Sequence, residues 1–325
     1  MDHNKSIGHW PAEETLTQVT AARLDGGGPA HNVALDLARL GAGFPVWAMG
    51  AVGDDPSGRL ILDACRERGV DASRLRVLAG VPTSFTDVMT VEGTGRRTFF
   101  HHQGANARLA PDDFDFAGLP ARLLHLGAPG VHQRLDGPSG ADANGWVTVL
   151  RRAERAGIRT NLEMVSAAPD VIRRLVRPCL PHLDTLIVND YEAAALTDLE
   201  IVSGHIVSVP TAQAAARAIL DGGVRDLVVV HFPAGCVAAT RDGRLLAQPS
   251  LQVPPDGITG ANGAGDAFVA GVLYGLHEEW PLERCLTLGH CAAASALGSV
   301  STTGSVARAA ECLALADRWG WRVDP

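Results

Sequence analysis

Gly263-Ala264-Gly265-Asp266, standing ahead of the apolar run Ala267-Phe268-Val269-Ala270, joins two glycines, an acid and the start of a helix predicted over 267–276. Glycine lets a ligand come close to the backbone, and the first N–H groups of a helix have no partner within it. With the helix dipole added, such a terminus suits an anion, and a phosphate above all. Asp266 would repel a resting phosphate. It fits better as a base that takes a proton from a hydroxyl attacking that phosphate. The same residues also read as a loop closed by an N-cap aspartate, so the rest of the chain has to decide.

The cation content narrows how phosphate can be held. Of the 28 basic residues one is a lysine, Lys5, and the other 27 are arginines. Lys5 falls in a terminus expected to be mobile. A Walker-type phosphate loop, the kinase lysine of a Val-Ala-Ile-Lys strand and a Schiff-base lysine in the core are therefore excluded. Phosphate chemistry here rests on backbone N–H groups, arginine or metal. A net charge of −8 argues against nucleic acid as a partner, because phosphate neutralisation needs clustered cations. With 46% hydrophobic and 20% charged residues, the 325-residue chain can bury a substantial globular core. No apolar run approaches the roughly 18 residues of a membrane span. The start, Met1-Asp2-His3-Asn4-Lys5-Ser6, lacks the basic and then apolar character of a signal sequence, so the cytoplasm is the expected compartment. Six cysteines without a Cys-x-x-Cys pair argue against a zinc ribbon or thioredoxin-type site and are expected to be small buried hydrophobes.

The elements that must position Asp266 follow from periodicity. Thr15 to Thr20 alternates as a short exposed strand. Gly26-Gly27-Gly28-Pro29 turns into a helix whose apolar Val33, Leu37 and Leu40 run to a stop at Gly41. Asn32 then lies in the first turns, where its amide can meet a sugar hydroxyl or satisfy its own loop. Pro45 to Gly50 is a buried strand, followed by a glycine turn and a helix from about Ser57 to Arg68, a βαβ-type unit. Ser84 to Val91 and Arg96 to Phe100, separated by Glu92-Gly93-Thr94-Gly95, form a predicted hairpin suited to a lid, and Gly104-Ala105-Asn106 leads back from it. From Leu123 the rhythm is strand and helix: strands at 123–126, 159–162, 185–188 and 227–230, helices near 145–156, 168–176 and 211–220. Short apolar strands separated by helices predict a parallel sheet covered on both faces, with ligands at the carboxyl ends of the strands. Asn161, Glu163, Asn189, Glu192 and His231 stand at those ends. Helices are predicted over 282–297 and 306–319. The expected architecture is α/β: a three-layer αβα sandwich with a mostly parallel, Rossmann-like central sheet, one domain over 1–325, and a small β lid from about 10–28 and 82–104.

Asn189 and Glu192, three apart at a helix start, face the same way and offer oxygen to a hydrated Mg²⁺ beside a nucleotide. An Asn N-cap with Glu at the third helical position is also a capping device, and the spacing alone does not choose between them.

Taken in order, Gly27-Gly28-x-x-x-Asn32, Gly50-x-x-Gly53-x-Asp55-x-x-Gly58, Asn189-x-x-Glu192 and Gly263-Ala264-Gly265-Asp266 resemble the ribokinase-like (PfkB-type) carbohydrate kinases over nearly the whole chain. The resemblance implies transfer of the γ-phosphate of ATP to a hydroxymethyl group of a sugar, sugar acid or sugar-like molecule. It makes Asp266 the base and the N–H groups of Gly263, Ala264 and Gly265 the anion hole. Substrate would be held by Asp2, Gly27, Gly28, Asn32, Asn106, Asn161 and Glu163, and nucleotide by Asn189, His231 and Gly235. Asn189 and Glu192 would organise Mg²⁺ through water. Lid sheets of relatives pair between subunits, which implies a homodimer.

The chain departs from the family pattern in three places. Gly260-Ala261 replace an Asp-Thr pair, which argues against activation by potassium or another monovalent cation. His231-Phe232-Pro233-Ala234-Gly235 replace a Thr-x-Gly, so the nucleotide contacts are expected to differ. The family opens with a hydrophobic strand leading to a substrate-binding aspartate, whereas Met1-Asp2-His3 begins at about that aspartate. Either the strand is absent here or another segment replaces it, and restoring an upstream apolar segment is expected to raise thermal stability. The alternatives are a nucleoside kinase of the same fold and a non-catalytic sugar-binding regulator. A dinucleotide dehydrogenase is set aside because Phe268 stands where a third glycine is needed.

Overall fold

The computed structural model describes residues 1–204 and 206–325. The chain opens with β1 (Asp2–Ile7) and β2 (Val19–Asp25), an antiparallel pair, and passes into α1 (Pro29–Leu40). β3 (Trp47–Gly53), α2 (Pro56–Glu67) and β4 (Asp71–Leu78) form a βαβ unit with parallel strands. The hairpin β5 (Phe85–Val91) and β6 (Arg97–His102) follows. Next come β7 (Leu123–Leu126), α3 (Gln133–Asp136), α4 (Gly145–Arg155), β8 (Arg159–Leu162), α5 (Pro169–Val176), β9 (Thr185–Asn189) and α6 (Asp190–Thr197). A small pair, β10 (Val202–Ser203) and β11 (Ile206–Val207), precedes α7 (Val209–Asp221), β12 (Leu227–Phe232), β13 (Gly235–Thr240) and β14 (Leu245–Pro249). Three helices close the chain: α8 (Ala264–His277), α9 (Leu282–Ala296) and α10 (Ala309–Trp319).

Six strands make the central sheet in the order β14-β13-β12-β9-β8-β7. β7, β8, β9 and β12 are parallel, and β13 and β14 run antiparallel at one edge. Both faces are covered, and the strands show it residue by residue. Leu186, Val188, Val228 and Val230 pack toward Trp146 and Leu150 of α4, while Ile187, Leu227 and Val229 pack toward Phe268 of α8 and Leu288 of α9. Successive strand residues point to opposite faces, so a strand buried on both sides is apolar throughout. No helix among the described residues is long and apolar enough to cross a membrane.

Local chemistry sets the helix ends. Gly28 precedes α1 at φ 96°, Pro29 opens it, and Gly41 ends it in a left-handed conformation. Asn144 caps α4, its side chain accepting from the Val147 N–H at 3.1 Å.

The small sheet has the order β2-β1-β5-β6, with β1 parallel to β5. Its first strand differs from expectation: the strand read at Thr15–Thr20 lies at Val19–Asp25, and Asp2–Ile7 is itself a strand. The lid sheet thus reaches back to Asp2 rather than starting near residue 10. Asp2-His3-Asn4-Lys5-Ser6 carries no apolar alternation because β1 is the middle of a thin sheet whose faces meet a cavity and solvent. Lys5 is held by an ion pair with Asp87, not left in a loose terminus. β4, β13 and β14 also go beyond the sequence reading.

Candidate active site

Asp266 is the third residue of α8, which begins three residues earlier than its apolar periodicity suggests. Gly263 caps the helix at φ 75°, and a side chain there would run into the Thr302 carbonyl. The first bond within the helix runs from the Ala267 N–H to the Gly263 carbonyl at 2.8 Å. The amides of Ala264, Gly265 and Asp266 therefore precede the helical ladder and remain as donors at its mouth. The sequence reading gave this place to Gly263, Ala264 and Gly265, and Gly263 is here the N-cap.

Two elements bring side chains toward Asp266. Asn32, on the first turn of α1, donates Nδ2 to Asp266 Oδ2 at 2.6 Å, with its own Oδ1 buried and unpaired. Glu163, directly after β8, shares the cavity wall with Asp266. Burial first, and Glu163 second, push Asp266 well above the usual carboxylate range, against the pull of Asn32. Burial also pushes Glu163 up to about 8 and Glu192 up to about 7. Asp266 nevertheless keeps an open side toward a cavity of about 910 Å³.

Asp2, Gly27, Gly28, Asn32, Asn106 and Glu163 share that cavity wall. Gly27 is required by contact, since a side chain there would collide with the Asp2 carboxyl. Burial raises Asp2 to about 6 against the neighbouring terminal amine, with Asp266 raising it further. Asn106 sits in the 3-10 turn Gly104–Arg108 that returns from the lid. Asn161 departs from its expected role. It is fully buried behind the wall and donates Nδ2 to His125 Nδ1 at 2.8 Å, so it supports the site without facing a substrate.

The nucleotide side divides. Asn189 and Glu192 form a capping box on α6: Asn189 Oδ1 accepts from the Glu192 N–H at 2.8 Å, and Glu192 Oε2 accepts from the Asn189 N–H at 3.1 Å. Both remain on the cavity wall. His231, next to last in β12, lies against Phe268, with ring centroids 5.1 Å apart, and burial takes it down to about 4. Gly235 departs from expectation. It pairs with Phe232 and Pro249, and its missing side chain makes room for the Gln248 carbonyl rather than for a ligand. Within Gly50 to Gly58, Asp55 caps α2, accepting from the Gly58 N–H and from both Thr83 donors, each at 2.7 Å, and so ties α2 to the lid entrance.

Several side chains at the site escaped the sequence reading. His125 Nε2 stands 2.7 Å from Glu163 Oε2. Its signal was a single polar residue inside the apolar strand Leu123-Leu124-His125-Leu126. Thr302 Oγ1 donates to the Gly26 carbonyl at 2.9 Å, joining the loop after α9 to the glycine turn before α1. Arg97 of the lid bonds Asn262, next to the N-cap of α8.

Comparison with known proteins agrees with this geometry. The pfkB family carbohydrate kinase pattern matches residues 4–309. A 5-dehydro-2-deoxygluconokinase of Clostridium perfringens is 24% identical over 285 residues, covering 85% of this chain and 79% of its own. A fructokinase of Klebsiella pneumoniae is 29% identical over 307 residues, covering 88% of each chain. Among solved structures, ribokinase of Thermotoga maritima superposes with a TM-score of 0.77 at 20% identity, over 97% of this chain and 96% of its own. A Burkholderia thailandensis nucleoside kinase in complex with inosine gives 0.73 at 18% identity, over 99% and 97%. The motifs, the fold and the match over nearly the whole length make this chain a member of the pfkB family of carbohydrate kinases.

Proposed function

We propose that the enzyme transfers the γ-phosphate of ATP to a hydroxymethyl group of a sugar or sugar acid, with Asp266 as the base. The observation that carries this is the placement of one acid in the first turn of α8, beside free backbone donors, joined to Asn32 and open to a cavity shared with the lid. The donors fit an anion, and the Gly263 conformation would be strained for a larger residue. Bound ATP supplies the phosphoryl group. The amides of Ala264 and Gly265 receive its oxygens, Asp266 takes the proton from the attacking hydroxyl, and Asp2, Asn32 and Asn106 orient that hydroxyl's carrier. Glu192 and Asn189, held on the cavity wall by the capping box, would organise the water shell of Mg²⁺. Such transfer is mostly positioning and charge stabilisation. A cytoplasmic site of action fits the six buried, unpaired cysteines and the need for ATP.

The test is ADP release measured over a panel of sugars, sugar acids and nucleosides. Turnover with one carbohydrate class is expected. Turnover confined to nucleosides would favour the second reading, for which the likeness to a nucleoside kinase fold is the motive. Asp266→Asn is expected to lower kcat by on the order of 10²–10⁴-fold while sugar binding persists. Unchanged ATP consumption in that variant would refute the base assignment, and an inactive parent that still binds sugar would point to a regulator.

A further inference from the structure

The lid decides which groups look down on the substrate. Strand side chains alternate, so register sorts the lid into rows. One inward row has Asp2 opposite Thr86 and Thr86 opposite His101; the next has Asn4 opposite Val88 and Val88 opposite Phe99. All six residues line the cavity, and Thr86 Oγ1 and His101 Nδ1 share a hydrogen bond at 3.0 Å. Away from the lid the cavity runs past Phe116, Leu126 and Trp146. The wall carries four carboxyls, Asp2, Glu163, Glu192 and Asp266, and among the described residues its fixed cations are two arginines. Neither is placed for the body of a substrate. Arg97 bonds Asn262 beside the N-cap of α8, at the phosphate end. Arg122 stands just before β7 and is paired with Glu279. That is the amino end of the strand, whereas Glu163 follows the carboxyl end of its parallel neighbour β8.

The remaining basic groups on the wall bring no free charge. Burial holds His31, His125, His132 and His231 at about 4 and lowers His101 as well. His277 ends α8, far along the helix from Asp266, with Nδ1 2.9 Å from Glu278 Oε1. The Met1 amine donates to the Ser84 carbonyl at 3.1 Å, and burial lowers it, while Asp2 beside it, raised to about 6, is still ionised at neutral pH. A carboxylate or phosphate carried by the substrate would therefore meet acids, side-chain amides, a hydroxyl and hydrocarbon, with no cation to receive it. A charge taken out of water without a partner is costly, and a site can reject a ligand by leaving it unpaired. We propose that the substrate is an uncharged polyhydroxylated sugar, and that the inward face of the lid excludes sugar acids and sugar phosphates. This narrows the sugar kinase reading above and rests on it.

The experiment is titration calorimetry of the parent protein with matched pairs that differ by one charged group. D-fructose is paired with 2-keto-D-gluconate and D-glucitol with D-gluconate, a carboxylate replacing one hydroxymethyl group each time, and D-ribose is paired with ribose 1-phosphate. The neutral member of at least one pair is expected to bind, and its charged partner to bind on the order of 10²-fold more weakly, as like charges brought together do. The ratio of kcat/KM for ADP release should follow. A charged member that binds as tightly as its neutral partner overturns the proposal, and so does a protein that binds none of the neutral members. Asp2→Asn tests the cause. It removes the charge of the inward row and is expected to cut the ratio by roughly tenfold, a usual size for one neighbouring charge. An unchanged ratio in that variant also overturns the proposal, because shape and not charge would then reject the anion. Failure of the kinase reading looks different: neutral sugars would bind in preference to their charged partners, with no ADP formed from either.

Discussion

Asp36 sits on the buried side of α1 with neither carboxyl oxygen paired. Burial, and after it the charge of Asp266, raise it to about 8, against Arg39 and Arg68. The sign follows from linkage. A carboxyl that ionises near 4 when unfolded but near 8 when folded costs stability progressively as pH rises between those values. Asp36→Ala removes that cost and keeps a good helix former. The variant is expected to be more stable than the parent at pH 8, by on the order of 1–3 kcal/mol, and to lose most of that advantage by pH 5. Urea melts at the two pH values measure it, and an advantage equal at both would contradict the titration. Asp36 was invisible in the sequence because one acid in an amphipathic helix reads as solvent-facing. Asp266, Asn32 and Glu163 were legible, each standing at a glycine turn or strand end where polar residues are exceptional. Asn161 and Gly235 occupy similar positions yet turn away from the cavity. Position along a strand limits where a side chain can go, and packing against neighbours decides which way it faces.

Among the elements, the parallel strands and most helices were legible because their apolar periods agree with burial in the interior of a two-sided sheet. β4 and β14 were not, being edge strands whose exposed residues break the pattern, and neither was β13, an inner strand of mostly small residues, Gly235-Cys236-Val237-Ala238-Ala239, without a run of large apolar side chains. β3 is paired on one side, by β4, and β7 on one side, by β8. The cavity touches every residue from Trp47 to Val52 and from Leu123 to Ala128. Side chains alternate along a strand, so a space that touches successive residues lies along its edge. Val33 and Leu37 of α1 close it on one side, Phe116 and Trp146 on the other, and the buried Met1 amine lies beside its mouth, donating to the Ser84 carbonyl at 3.1 Å. The space has the place of a strand about 20 Å long in six residues. A Val- and Ile-rich hexapeptide fused ahead of Met1 is expected to enter it and raise the melting temperature by several degrees, whereas a Gly/Ser hexapeptide should not. Differential scanning calorimetry of the two fusions decides, and equal melting would count against a strand-accepting gap.

At the scale of the whole molecule, the lid has two faces of different character, and register assigns each residue to one. Asp2 and Asn4 face the cavity. Across the lid sheet Asn4 is opposite Arg23 and Val88, and Val88 is opposite Phe99. Their neighbours form the outer row: Leu24 opposite His3, His3 opposite Asp87, Asp87 opposite Phe100. Leu24 is 57% exposed and Phe100 51%, and Trp10, 48% exposed, stacks on Phe100. One thin sheet thus presents large apolar groups to solvent on the side away from the substrate, bordered by the unpaired edges of β2 and β6. Clustered exposed apolar groups and open edges are what a protein covers with a partner. A second copy of the chain laid lid to lid would cover both, in line with the homodimer that the family resemblance implies. Sedimentation equilibrium at micromolar concentration is then expected to give twice the mass of the chain. Leu24→Glu combined with Phe100→Glu should give a single copy with unchanged far-UV circular dichroism, because both side chains lie outside the core and off the cavity. The monomer should also bind its sugar more weakly, since Asp2, Asn4 and Arg97 reach the substrate side from the sheet that the partner steadies. A parent that sediments as one copy would refute the dimer. A double variant that stays dimeric would move the interface to another face.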